Sequence, residues 1–160
     1  MDINIIVAVS KNGVIGKDNK LLWKLKDDMK FFRTMTTDST VIMGRRTYES
    51  IGKALPKRTN IVITRQKGYI ANNCIVTNSL EEAIKKVYGN QKVFIIGGGE
   101  VYKQASLIAN KAYVTQVDVV IDGDTHFDDL SEDWHYIESN EFKKDENNEY
   151  DFTISTYERI

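Results

Sequence analysis

Residues 3–10, INIIVAVS, form an almost unbroken apolar run, the pattern of a strand covered on both faces. Shorter runs of the same kind stand at 40–44 (TVIMG), 60–64 (NIVIT), 74–77 (CIVT) and 92–96 (KVFII). A longer one, AYVTQVDVV, occupies 112–120. Helical patterns separate them. One covers 25–36, a second starts at Arg45, and a third opens on the capping box Ser79-Leu80-Glu81-Glu82 and reaches about Tyr88. A fourth runs from about Glu100 to Ile108. The tail alternates over 134–142 and 150–159 around the charged segment KKDENNEYD, which predicts an antiparallel hairpin with a solvated tip. A loop with Gly13 and Gly16 spans Lys11 to Lys24. Strands alternating with helices, then a hairpin, predict an α/β sheet that is mostly parallel, with antiparallel strands at its C-terminal end. Ligands in such sheets bind at the carboxyl ends of the parallel strands.

Composition narrows the classes. A chain of 160 residues predicts one domain with one core. The 22 basic against 23 acidic side chains leave no cationic footprint for nucleic acid or an anionic membrane. No apolar run approaches the roughly 20 residues of a spanning helix. The opening MDINIIVAVSKNG has an acid and no basic region ahead of its apolar run, unlike a secretory leader. Pro56 is the one proline, so no Pro-rich linker divides the chain. Cys74 stands alone and cannot form an internal disulfide, which fits a reduced cytoplasmic protein. His126 and His135 make no metal-ligand pattern with it.

Four places carry candidate chemistry. With Leu25 at zero and about 100° per residue, Met29, Phe31, Phe32 and Met35 share one arc of the 25–36 helix. Asp28 falls inside that arc and Asp27 outside it, near its edge. A carboxylate in an apolar stripe needs a partner, either a structural hydrogen bond or a donor-bearing ligand. The run Ile96-Gly97-Gly98-Gly99-Glu100-Val101-Tyr102 ends a strand in glycines and starts a helix, which is either a tight turn or a phosphate approach. Its spacing is not that of the G-x-G-x-x-G fingerprint. Met43-Gly44-Arg45-Arg46-Thr47 repeats the strand–glycine–helix arrangement, and Ile63-Thr64-Arg65 ends the next strand. An arginine alone is commonly a surface charge, yet arginines at adjacent strand ends suit a long polyanionic ligand. The acids at Asp122, Asp124, Asp128 and Asp129 do not match a calcium loop.

Ala8, Val14-Ile15-Gly16-Lys17-Asp18-Asn19, Leu21 and Trp23 ahead of Asp28 resemble the opening of dihydrofolate reductases. So do Val41 to Arg45 with Thr47, Glu49-Ser50-Ile51-Gly52, Leu55-Pro56 before Arg58-Thr59-Asn60-Ile61, Ile96 to Tyr102, Tyr113 with Thr115, and Gly123-Asp124-Thr125. The likeness spans the chain in sequence order. It implies an eight-stranded, mainly parallel sheet with an antiparallel C-terminal hairpin and four flanking helices. It implies NADPH as cofactor and dihydrofolate as substrate, with a hydride passing to C6, a proton to N5, and tetrahydrofolate supplied to one-carbon metabolism. Asp28 would hydrogen-bond the pterin with Thr115 in support, and water would deliver the N5 proton. Ile6, Ala8, Phe32, Ile51, Leu55 and Ile96 would line the folate pocket, and Arg58 would hold the glutamate-tail carboxylate. The loop at 10–24, with Trp23, would close over the nicotinamide and set the pace of turnover. Ala8, Ile15, Gly16 and Asn19 would reach the cofactor there, and the Gly123-Asp124 turn would hold the loop near Gly16. Gly97-Gly98 would be joined by a cis peptide. Arg45, Thr64 and Arg65 would surround the 2′-phosphate. Arg46, Thr47 and the stretch Gly99, Glu100, Val101 and Tyr102 would hold the pyrophosphate, and Gly44, Gly97 and Gly98 would also bind the cofactor.

The resemblance also implies a cytoplasmic monomer with no metal, nucleic-acid or membrane partner. Leu22 and Lys26 stand where the family carries prolines, and Lys57 where it carries glycine. Fewer prolines leave a more mobile loop. Two rivals stay open. One is another reductase of this fold, such as the pyrimidine reductase of riboflavin synthesis; Asp28 and Arg58 favour folate over it. The other is a non-catalytic folate or nucleotide binder.

Overall fold

The computed structural model describes residues 1–16, 22–130 and 132–160. In chain order the strands are β1 (Ile3–Ser10), β2 (Val14–Gly16), β3 (Thr40–Gly44), β4 (Thr59–Ile63), β5 (Ile75–Thr77) and β6 (Val93–Ile95), then β7 (Lys111–Val117), β8 (Thr125–His126), β9 (Trp134–Phe142) and β10 (Phe152–Arg159). The helices are α1 (Lys26–Thr36), α2 (Arg45–Ile51), α3 (Leu80–Lys85) and α4 (Gly99–Ala105). Eight strands form one sheet in the order β5-β4-β3-β6-β1-β7-β10-β9. Pairings from β5 across to β7 are parallel, and β10 is antiparallel to both β7 and β9.

Both faces of the sheet are covered, which is why β1 reads as a continuous apolar run. Ile3, Ile5, Val7 and Val9 point into a core shared with α3 and α4, including Leu80, Ala83, Val101 and Ala105. Ile6 joins Val41, Met43, Val62 and Phe94 on the other face, beneath Phe31, Phe32 and Met35 of α1. A third cluster, Leu25, Val117, Phe152 and Ile154, seats the start of α1 on the C-terminal hairpin.

The fold departs from the sequence pattern in several places. The small sheet of β2 and β8 was not foreseen; its strands are too short for a periodicity, and distant backbone bonds hold them. Phe127 N donates to Gly13 O at 2.9 Å and Asp124 N to Gly16 O at 3.0 Å. Strand β7, expected over 112–120, ends at Val117, and the helices expected to reach Tyr88 and Ile108 end at Lys85 and Ala105. The hairpin tip is not wholly solvated, because Asn148 is 1% exposed.

Candidate active site

A cleft of about 1680 Å³ opens at the carboxyl ends of the parallel strands. Ile6, Ala8, Ile15, Gly16, Trp23, Asp28, Phe32, Ile51, Leu55, Arg58, Ile96 and Thr115 line one part of it. Gly44, Arg45, Arg46, Thr47, Thr64, Arg65 and the run Gly97 to Tyr102 line the rest. Asn19 lies outside the described residues, as do the other residues at 17–21 of the predicted mobile loop. A second groove of about 630 Å³, on the far side of the sheet by Val9, Val114 and Tyr157, brings together none of the predicted site residues.

The floor follows from strand register. Ala8 of β1 pairs with Thr115 of β7, and the small methyl beside the hydroxyl leaves space below α1. Into that space α1 lowers Asp28, whose Oδ1 accepts a 2.6 Å bond from Thr115 Oγ1. Burial raises the Asp28 pKa above the ordinary carboxylate range, and the Thr115 bond offsets part of that rise. Tyr102 lies buried nearby; its hydroxyl donates to Ile6 O at 2.8 Å. Burial first, then the Asp28 charge, pushes the Tyr102 pKa far up, so it remains a neutral donor.

Asp28 thus binds its proton more tightly folded than unfolded. Its contribution to stability is full below the ordinary carboxylate range and is lost as pH rises through the raised value. Asp28→Asn keeps an oxygen for Thr115 and removes the half-buried charge. It is expected to raise the Tm of the apo protein at pH 7, with the gain shrinking as pH falls toward 4. Each kcal/mol corresponds to about 2–4 °C for a chain of this size. Thermal unfolding at both pH values checks this, and a lower Tm at pH 7 contradicts it.

The mouth is apolar and cationic. Met29, which helical phase assigned to the core, is 57% exposed and lies on the cleft rim. Ile51 is also exposed there, and such apolar surface marks a binding wall. Buried Asn60 shapes the adjoining turn: its Oδ1 accepts from Leu55 N at 2.9 Å, and its Nδ2 donates to Leu55 O and Arg58 O at 2.9 and 3.1 Å. Arg58 is steadied by Nε to Pro56 O at 2.9 Å and by a guanidinium bond to Thr36 Oγ1 at 3.1 Å. Burial, then repulsion from Arg33, lowers the Arg58 pKa. Arg33 itself lines the cleft.

At the other end, bare backbone faces the opening. Gly97 and Gly98 are joined by a cis peptide, and Gly97 has φ +131°. A Cβ on Gly97 would stand 3.2 Å from Thr47 Oγ1, and one on Gly98 3.4 Å. Gly44 N donates to Gly97 O at 2.8 Å, which ties the two glycine turns together. α2 and α4 start from Gly44 and Gly98 with no side-chain cap, leaving first-turn N–H groups for a ligand. Arg45 bonds Glu49 Oε1 at 2.9 Å, and Tyr69 OH bonds Glu49 Oε2 at 3.0 Å. Thr64 Oγ1 accepts from Gln66 N at 3.1 Å and turns the chain so that Arg65 and Gln66 reach the rim. Ser79, read as a helix cap, also lines the cleft, as do Gln66, Asn78 and Gln104, which sequence reasoning did not name. They are common loop and surface residue types with no spacing signal.

Among the described residues no three His, Cys, Asp or Glu side chains converge as a metal site, and no helix is long and apolar enough to cross a membrane. A family model described as dihydrofolate reductase matches residues 2–159. A dihydrofolate reductase of Haemophilus influenzae is 47% identical over 153 residues, covering 94% of each chain. One from Staphylococcus haemolyticus is 37% identical over 161 residues, covering 100% of this chain and 97% of that one. The solved structure of an Enterococcus faecalis dihydrofolate reductase complexed with NADP(H) and RAB-propyl superposes with a TM-score of 0.92 at 34% identity, covering 99% and 96% of the two chains.

Proposed function

This chain belongs to the dihydrofolate reductase family, and from that premise we propose how its cleft carries the reaction. The protein is an NADPH-dependent oxidoreductase that reduces dihydrofolate to tetrahydrofolate. The half-buried, Thr115-bonded carboxyl of Asp28 carries the assignment of the substrate half. Its carboxylate lies among Ile6, Ala8, Phe32 and Leu55 on the cleft lining, and a pterin offers it N–H donors. Asp28 orients the ring and polarises it, and water delivers the proton to N5. Ile6, Ala8, Phe32, Ile51, Leu55 and Ile96 enclose the ring system, and Arg58 receives the carboxylate of the glutamate tail. Trp23 closes the pocket from the loop side.

The chain's own residues fit NADPH at the other half. The glycines beside Thr47 leave backbone open where a side chain would fill the cradle, which suits a diphosphate. Arg45, Thr64 and Arg65 suit a further phosphate on the adenosine. Arg46, Thr47 and the backbone from Gly99 to Tyr102 would hold the diphosphate, and Ala8, Ile15 and Gly16 would meet the nicotinamide end. When bound, NADPH supplies the hydride that adds to C6 of the substrate. The protein's part is to hold the two rings in register while leaving a water path to N5. Following NADPH oxidation with and without dihydrofolate tests this reading; oxidation independent of dihydrofolate, or none, overturns it.

We also place the enzyme in the cytoplasm as a monomer. Lone Cys74 supports the first. Edge strand β9, with exposed Glu138 and Glu141 and a register shift beside Tyr157, supports the second, since charges and bulges discourage edge pairing.

Loop placement yields one more expected result. A Cβ on Gly123 would come within 2.3 Å of Val14 Cγ1 and 2.7 Å of Gly16 O. Gly123→Ala must therefore push β2 off the turn that holds it. Overpacking of this kind costs about 1–3 kcal/mol, so hydride transfer should slow by roughly 5–150-fold. Stopped-flow with deuterated NADPH reads the step directly. A wild-type rate in this variant would remove the loop's docking from the mechanism.

A further inference from the structure

Helix α1 carries Asp28 but does not cap itself. Its N-cap is Leu25, which has no side chain able to accept a hydrogen bond. The first N–H groups are met instead from the β9–β10 hairpin. Lys26 N donates to Asn147 O at 3.0 Å, and Asp27 N donates to Asn148 Oδ1 at 3.3 Å. Asn148 Nδ2 returns a 2.9 Å bond to Asp27 Oδ2. Asn148 is 1% exposed within a hairpin tip that is otherwise charged and open to solvent. Asp145 holds it there, with Oδ1 accepting from Asn147 N at 2.8 Å, Asn148 N at 2.9 Å and Asn148 Nδ2 at 3.1 Å. Leu25 and Asn148 also pair as an antiparallel bridge.

We propose that Asn148 is a positioning residue for dihydrofolate: from the hairpin it supplies the cap that α1 lacks, and so holds Asp28 against Thr115. The proposal rests on the assignment of Asp28 to the substrate. A cap fixes the first turn of a helix, and Asp28 sits in that turn. A frayed turn would let the carboxylate leave the pocket for water. The cofactor half stands on α2, α4 and the ends of β3, β4 and β6. Among the described residues Asn148 bonds none of these. Its loss should therefore affect one ligand and spare the other.

Steady-state kinetics and Tm of the full-length enzyme test this. Asn148→Ala is expected to raise KM for dihydrofolate about tenfold, the equilibrium worth of a lost helix cap, with KM for NADPH within about twofold of wild type. Asp27→Ala should raise the dihydrofolate KM by a smaller factor, and Asp27→Ala with Asn148→Ala no more than Asn148→Ala alone. Asp27→Asn, which keeps an acceptor for Asn148 Nδ2, should restore near-wild-type KM. A merely structural contact would lower Tm and move both KM values together, or neither, and either result overturns the proposal. If Asn148→Ala does not fold, Asp27→Ala against Asp27→Asn decides: equal dihydrofolate KM in the two overturns it. A wild-type enzyme that fails to turn over dihydrofolate would overturn the assignment of the site instead.

Discussion

Asp28→Asn is expected to lower turnover of dihydrofolate at neutral pH by roughly 10²–10⁴, the usual loss when a positioned acid or base is removed, while leaving a folded protein. The fold survives because asparagine keeps an oxygen where Asp28 Oδ1 accepts from Thr115. What disappears is a charge that the pocket raises toward neutrality by burial and that a bound pterin would stabilise by donating to it. Asparagine can accept at one atom, but it offers an N–H where the ligand also has one. Asp27→Asn is the control. That side chain is only one residue away, yet it turns to Asn148 and does not line the cleft. Its turnover should stay near wild type. Steady-state rates of the two variants, with circular dichroism to show that both are folded, decide the matter. Comparable rates would mean that Asp28 is a structural acid, the reading its place in an apolar stripe left open.

Legibility in the sequence followed the range of the interactions. The run at 3–10 was readable because both faces of β1 are buried, so no alternation was needed. The capping box was readable because its partners are local: Glu82 N donates to Ser79 Oγ at 3.0 Å, although Glu82 answers Asn78 N at 2.9 Å, one residue before the expected donor. The glycines stood out by their place between a strand pattern and a helix start, and Asp28 by helical phase alone. Met29 was misplaced for the same reason. Phase identifies an apolar stripe, but it does not distinguish a core from the wall of an open cleft. The pair β2 and β8 and the burial of Asn148 were not readable. Asn148 meets Asp27 across 121 positions of sequence, inside a segment whose composition is that of a solvated turn. Long-range hydrogen bonds between polar loops leave no periodicity. The position of Arg45 was readable, while the two acceptor bonds around Glu49 that set its direction were not.

Replacing Arg45 and Arg65 together with alanine should raise KM for NADPH steeply and leave that for NADH nearly unchanged. The two cofactors differ by the 2′-phosphate, so only groups that read the phosphate can separate them. Each charged hydrogen bond contributes about 1.5–3 kcal/mol, or roughly 10–150-fold in affinity. The joint effect should fall short of the product, because two cations on one phosphate are coupled. Arg45 is well placed for this: Glu49 holds its guanidinium at 2.9 Å, and Tyr69 holds Glu49 at 3.0 Å. The carboxylate beside it also means that Arg45 is not wholly available, so part of its attraction for phosphate is already spent on Glu49. Arg65 is exposed, has no comparable partner among the described ion pairs, and should be the more salt-sensitive of the two. Single variants measured at low and high ionic strength separate these contributions. If NADPH and NADH weaken by the same factor in the double variant, the arginines act on the diphosphate common to both, and selection for the phosphorylated cofactor must lie with Thr64 and the turn that follows it.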